Sequence, residues 1–217
     1  MFCDDIIRED NGTGLYDIIQ AYYINRDNAT NSGWDFNLNY DQNFNIGTQA
    51  VRLGIDFAAN RNEEASVTFV DDEGNVDFED SSGNIYYPKW KANLAMRAQV
   101  SDFRFTWVIN YIGSTDQLPA YVDEWDEAIT GASNTCAGPP DDVFCRDYAD
   151  TDDYWLHSTS LYWYGDTWTL GAGIRNVFDE RPPYVDSTEY TSINRVPIGA
   201  GYDLFGRVYF LNLVWRP

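Results

Sequence analysis

Side-chain catalysis needs a proton shuttle, a nucleophile or a metal, and this 217-residue chain offers one histidine and three cysteines for the purpose. His157 lies in a strand-like segment with no Cys/His ligand spacing around it, so neither a Ser/His/Asp relay nor a zinc site reads from it. Cys136 and Cys145 fall in one loop, near enough to close a small disulfide ring in an oxidising compartment; free thiols are the other reading, and Cys3 is left over. Carboxylates are so abundant that some pair always resembles a glycosidase dyad, and spacing across separate loops does not establish one. The run Asp71-Asp72-Glu73-Gly74-Asn75-Val76-Asp77 supplies oxygens that suit calcium but misses the fixed offsets of an EF-hand. Gly171-Ala172-Gly173 sits inside a strand with no helix after it, which excludes a phosphate-cradling loop. The expectation is therefore no enzyme, no metal site and no cofactor.

Binding is the better-supplied chemistry. Tyr121, Trp125, Tyr148, Arg181, Tyr184, Tyr190 and Arg195 lie in long connections; tyrosine and tryptophan give large contact area at low entropy cost, and arginine grips carboxylates bidentately. The same residues serve equally to pack loops together or to support a membrane interface.

The formal net charge of −21 excludes nucleic acid as a partner, because phosphate binding needs clustered lysine and arginine. Much of the acidity sits in the long connections and reads as solvated, self-repelling surface. Long-range steering by such loops favours cationic or neutral solutes over anionic chelates.

The elements that position these residues are strands. From Asp102 to Ile112, Phe103, Phe105, Trp107, Ile109 and Tyr111 alternate with mostly polar residues. Trp34, Phe36, Leu38 and Tyr40 do the same, as do Val51 to Phe57, Leu94 to Val100 and Trp168 to Ile174; Tyr154 to Tyr164 alternates less cleanly. Seven strands are predicted, over 17–43, 47–60, 88–100, 102–113, 154–164, 167–177 and 206–216. The connections alternate too. Short turns fall near Asn43–Gly47, Val100–Asp102 and Gly165–Thr167; long acidic loops cover Asn60–Pro88, Gly113–Asp153 and Val177–Gly206.

In antiparallel order every short turn lies at one end of the sheet and every long loop at the other, the polarity of transmembrane β-barrels. Aromatic residues reach 17% beside a negative mean hydropathy, which suits strands showing one face to lipid and the other to water. No run of eighteen apolar residues supplies a membrane helix. Met1 to Asp10 has neither a basic start nor an apolar core, so it does not read as the signal peptide that an exported protein carries. Seven is also odd: the first and last strands would run parallel, so an up-and-down barrel needs further strands. The expected fold is thus an all-β, antiparallel transmembrane barrel segment over 1–217, an open curved sheet on its own. A soluble β-sandwich gives the same periodicity, with its apolar face turned to a second sheet.

Two stretches carry a family resemblance. Thr169-Leu-Gly-Ala-Gly-Ile-Arg-Asn-Val-Phe-Asp-Glu-Arg-Pro-Pro-Tyr-Val-Asp and Gly201-Tyr-Asp-Leu-Phe-Gly-Arg-Val-Tyr-Phe-Leu-Asn-Leu-Val-Trp resemble the C-terminal end of TonB-dependent outer-membrane receptors. That family has a motif like Gly-Val-Arg-Asn-Leu-Phe-Asp before Pro-Pro, and opens its last strand with Tyr-Asp-x-x-Gly-Arg-x-Tyr. Phe2 to Asp10, Ser32-Gly33-Trp34-Asp35-Phe36, Tyr87 to Leu94 and Tyr111-Ile112-Gly113-Ser114 are similar to the family in the same order. The family's closing outward row is kept in Tyr209, Leu211, Leu213 and Trp215, but its last place holds Pro217 instead of an aromatic.

The resemblance implies a plugged barrel of twenty-two strands that imports a scarce solute (siderophore, vitamin, saccharide or similar) with energy from TonB. This chain would be its last seven strands, without the plug or the TonB box. The implied partners are outer-membrane lipid and lipopolysaccharide, TonB through the missing N-terminal part, and the barrel-assembly machinery, which would read the row ending at Trp215. The implied location is the outer membrane of a Gram-negative bacterium, with long loops outside the cell and Pro217 in the periplasm. A passive porin-like channel and a carbohydrate-binding β-sandwich are the alternatives.

Overall fold

The computed structural model describes residues 6–8, 16–19, 28–70, 74–116, 150–185 and 190–217. Their regular structure is entirely β. Eight strands make the main sheet: β1 (Asn28–Ile46), β2 (Gln49–Val70), β3 (Val76–Asp80), β4 (Trp90–Val100), β5 (Phe103–Ile112), β6 (Tyr154–Tyr164), β7 (Trp168–Arg175) and β8 (Val208–Trp215).

The spatial order is β8-β7-β6-β5-β4-β2-β1, antiparallel throughout, with short β3 paired to the far end of β2. Along the seven-strand path the strands follow one another in sequence order, with only β3 of the main sheet set aside between β2 and β4. The sheet is not closed, and β1 and β8 are its two edges. Both run from the loop end to the turn end, so they are parallel to each other and cannot pair in an antiparallel barrel.

Three tight reversals make the turn end: Gly47-Thr48, Ser101-Asp102 and Gly165 to Thr167. Gly47 and Ser101 both adopt positive φ, 62° and 51°. The first reversal is shorter than the sequence suggests, because β1 continues to Ile46 and pairs it with Gln49.

The loop end departs further from expectation. Of the predicted strand 17–43, the described residues are Tyr16–Ile19, which pairs with Ile6–Arg8, and Asn28 onward, which belongs to β1. The predicted strand 47–60 runs on to Val70, so most of the first acidic "loop" is a β2–β3 hairpin closing at Val70↔Val76. Ser66-Val67-Thr68-Phe69-Val70 has the β-branched and aromatic composition of a strand, which the neighbouring Glu63 and Glu64 conceal in a charge-based reading. A bulge marks where the strand leaves the wall: Gly33 faces Asn62 and Ser32 faces Glu64, leaving Glu63 extra. A Cβ on Gly33 would sit 2.4 Å from the Arg61 carbonyl oxygen, so only glycine fits that approach.

Register sorts the side chains into two faces. On one, Phe36, Ala59, Ala92, Tyr111 and Trp155 form a row across five strands, and Leu53, Ala98, Phe105, Leu161, Ala172 and Leu211 form another across six. Nothing among the described residues covers most of this apolar face; Phe36 is 45% exposed, Leu161 50% and Leu211 81%. Its loop end carries Phe36 stacked on Trp90 at 6.1 Å and Tyr111 against Trp155 at 4.3 Å. Its turn end carries Trp168 stacked on Trp215 at 5.8 Å. The other face is polar, and the buried core lies on that side, at the loop end.

Candidate functional site

The polar face is built in rows. From the turn end upward these are Asn43-Arg52-Gln99-Arg104-Tyr162-Gly171, Asp41-Gly54-Arg97-Thr106-Ser160-Gly173, Asn39-Asp56-Ala95-Val108-Ser158, Asn37-Ala58-Asn93-Asn110-Leu156 and Asp35-Asn60-Lys91-Ile112-Tyr154, with Arg175, paired to Val208, on the same face. Alternation puts these residues on one side, and antiparallel register sets them beside one another.

At the loop end a cap of connecting segments folds down onto the upper rows. Ile85 and Val185, both fully buried, pack with Tyr190, Ala200 and Tyr202 against Ile112, Tyr154 and Leu156. Tyr86 lies 5.6 Å from Tyr190, and Tyr154 meets Tyr202 edge-on at 5.1 Å. These few apolar residues, placed where the strands' polar face leaves the wall, hold the loops over one end of that face.

The motifs that carry the family resemblance fasten this cap. Arg175 at the end of β7 donates from Nη2 to Asp203 Oδ1 at 3.1 Å, and the Asp203 side chain is wholly buried. Asn176, at φ 55°, clasps its own loop: Nδ2 donates to the Glu180 carbonyl at 2.8 Å and Oδ1 accepts the Glu180 amide at 2.7 Å. Phe178 turns the opposite way onto the apolar face, 5.0 Å from His157. There Trp107 Nε1 donates to His157 Nδ1 at 3.2 Å, so the lone histidine belongs to an aromatic cluster. Asp179 Oδ1 accepts the Arg207 amide at 2.9 Å, and a Cβ on Gly206 would approach that oxygen to 3.2 Å.

Beneath the cap a cleft of about 620 Å³ opens along the polar face. It is rich in amides: Asn93 donates to Asn110 at 2.7 Å and Asn60 to Asp35 at 2.8 Å. Lys91 and Arg175 add positive charge to its wall. Amides that both donate and accept, with two cations, can hold a polar solute through many weak bonds.

The sequence-predicted contacts are dispersed. Tyr190 is 8% exposed and part of the cap core. Arg181 and Tyr184 line a second cleft of about 240 Å³ beside Asp150, Asp153 and Glu180. Arg195 is exposed at a tight turn with φ 68°, where its carbonyl accepts the Val185 amide at 2.8 Å. Tyr121, Trp125, Tyr148, Cys136 and Cys145 lie outside the described residues, as does the acidic run 71–73. Tyr209, Leu211, Leu213 and Trp215 all stand exposed on the apolar face of β8. The residues missed by sequence reasoning are the polar rows, because Asn93 and Asn110, or Arg52, Gln99 and Arg104, come into one row only through register.

Comparison with models of protein families, with curated proteins and with solved structures finds no match to this chain.

Proposed function

We propose that this chain is a wall segment of an outer-membrane β-barrel, belonging to a TonB-dependent importer of a scarce solute. The observation that carries the reading is the bare apolar face. In water an exposed patch beyond about 300–600 Å² is rare on a monomer, whereas here apolar side chains run across seven strands with little cover from any of the described residues. Lipid is the solvent that suits such a face, with aromatic pairs at both of its margins. The eleven residues of β4, at about 3.3 Å each and a tilt of roughly 40°, rise about 28 Å, enough to cross an outer-membrane apolar band of about 25 Å.

A β-sandwich would turn the same face to a second sheet, and the described residues contain no such sheet. The polar rows would then line the lumen, the capped end would face outside and the tight turns the periplasm. Parallel edges ask for an odd number of further strands to close the wall.

Energised import separates this reading from a passive channel. Deleting the gene abolishes uptake of its solute, and inactivating TonB abolishes it equally. Uptake that survives loss of TonB but not loss of the gene overturns the importer in favour of a porin-like channel.

A further inference from the structure

The charge of the chain is segregated. Among the paired residues of the seven-strand path, the polar face holds five cations, Arg52, Lys91, Arg97, Arg104 and Arg175, against three carboxylates, Asp35, Asp41 and Asp56. A chain of net charge −21 thus presents a net positive face. Three of those cations meet at the turn end, around a cleft of about 300 Å³ lined by Asp41, Arg52, Gly54, Arg97, Gln99 and Arg104.

Their pairing is uneven. Asp41 takes Arg52 Nε in a forked bond, 2.8 and 3.0 Å, and Asp56 takes Arg97 at 2.5 Å. Arg104 has no carboxylate among the described residues. Its guanidinium lies over the Tyr164 ring at 5.0 Å, and Nη2 donates to Gln99 Oε1 at 3.2 Å. Stacking and the amide oxygen hold the fork in one orientation without spending its charge. Arg52 and Arg104 flank Gln99 on adjacent strands, so their Cα atoms lie about 10 Å apart across two strand spacings. Long side chains span that gap, and Arg97 stands two residues along the same strand from Gln99. Gly54 leaves room for the guanidinium that crosses it, since a Cβ there would come within 3.3 Å of Arg97 Nε.

We infer that this arginine cluster is an anion site, that it takes a carboxylate of the transported solute, and that Arg104 is its principal donor. The identification of the anion as solute rests on the importer reading; the site itself does not. It also separates two electrostatic roles: the acidic loops set what approaches, while the polar face sets what is held. A carboxylate seated on Arg104 would satisfy the one fork of the three that has no acid partner among the described residues, in a charge-assisted geometry.

The test is a titration of the full 217-residue chain in detergent, following arginine Nε–Hε resonances, with citrate as the probe and glycerol and chloride at matched ionic strength as controls. Citrate shifts Arg104 most and saturates, glycerol and chloride do not, and Arg104→Gln weakens citrate binding about tenfold or more. Arg104→Lys, which keeps the charge but loses the stacked fork, falls between, and strand content by circular dichroism confirms that both variants fold. Equal shifts with citrate and chloride, or citrate affinity unchanged in both folded variants, overturn the site. Replacing citrate with inorganic phosphate separates carboxylate from general oxyanion recognition; tighter phosphate binding overturns the carboxylate assignment. Bilayer insertion of the same sample is measured independently, so citrate binding by a chain that stays out of lipid would sink the membrane reading and leave the anion site standing.

Discussion

Arg175 and Asp203, 28 residues apart, join the end of β7 to the loop that leads into β8, with the carboxylate buried and the guanidinium half in solvent. Asp203 Oδ1 also accepts the Phe205 amide at 3.3 Å, and the Asp203 amide donates to the Tyr154 hydroxyl at 3.3 Å. One residue therefore ties strand, loop and cap together, the carboxylate holding Arg175 and the Phe205 amide and the backbone amide holding Tyr154.

Removing it releases the loop. Asp203→Ala destabilises the chain by about 1–3 kcal/mol, because the Phe205 amide and Arg175 lose their acceptor, while Asp203→Asn keeps the neutral bonds and costs less. Urea unfolding in detergent measures both. Hydrogen exchange locates the effect, with faster exchange expected over residues 176–185 and 190–207 and little change in β4 and β5.

Two glycines of β7 are seats for aromatic rings. A Cβ on Gly171 would lie 2.2 Å from the Tyr162 ring, and one on Gly173 2.4 Å from the Phe210 ring and 2.5 Å from the Thr159 carbonyl oxygen. Each alanine substitution is expected to cost about 1–3 kcal/mol by overpacking. Tyr162→Leu rescues Gly171→Ala, whereas Phe210→Leu leaves Gly173→Ala impaired because the backbone clash remains. Unfolding midpoints of the four variants and the two double variants decide it.

Asp80, in the β2–β3 hairpin outside the apolar band, gives a pH dependence with a definite sign. Burial alone would raise its carboxyl, but the Ser82 amide and hydroxyl, the Ala65 amide and nearby Lys89 outweigh it and hold the carboxyl below the ordinary aspartate value. A lowered carboxyl stabilises the fold at neutral pH, and that contribution fades as pH falls below about 4 through the folded value. Proton exchange at the Ser82 amide, corrected for intrinsic rates, should lose protection in that acid range in the natural chain. Asp80→Asn should show no such step.

Much of the wall is legible in the sequence, because a half-wet strand writes its period of two into residues such as Phe103 to Tyr111, and short turns separate the runs. The extension of β2 through Val70 is hidden by Glu63 and Glu64, since charge reads as loop where a strand stands clear of the core. Gly33 shows its role only beside Arg61 on the next strand. Arg52, Gln99 and Arg104 are dispersed over 52 residues and become one row through register. Tyr190 illustrates the limit for loops: an aromatic suited to binding is used instead to fill the cap against Tyr86.

The claim on which the rest depends is that the apolar face of β8 and its neighbours meets lipid. Single cysteines placed in turn at positions 209 to 214, with Cys3, Cys136 and Cys145 changed to serine, are spin-labelled in bilayers and probed with oxygen and with a water-soluble nickel complex. Oxygen access should peak at 209, 211 and 213 and nickel access at 210, 212 and 214. In the same bilayers Leu211→Arg should cost about 2–4 kcal/mol and Asn212→Arg far less. A nickel-accessible Leu211, or access without the two-residue period, would contradict the account.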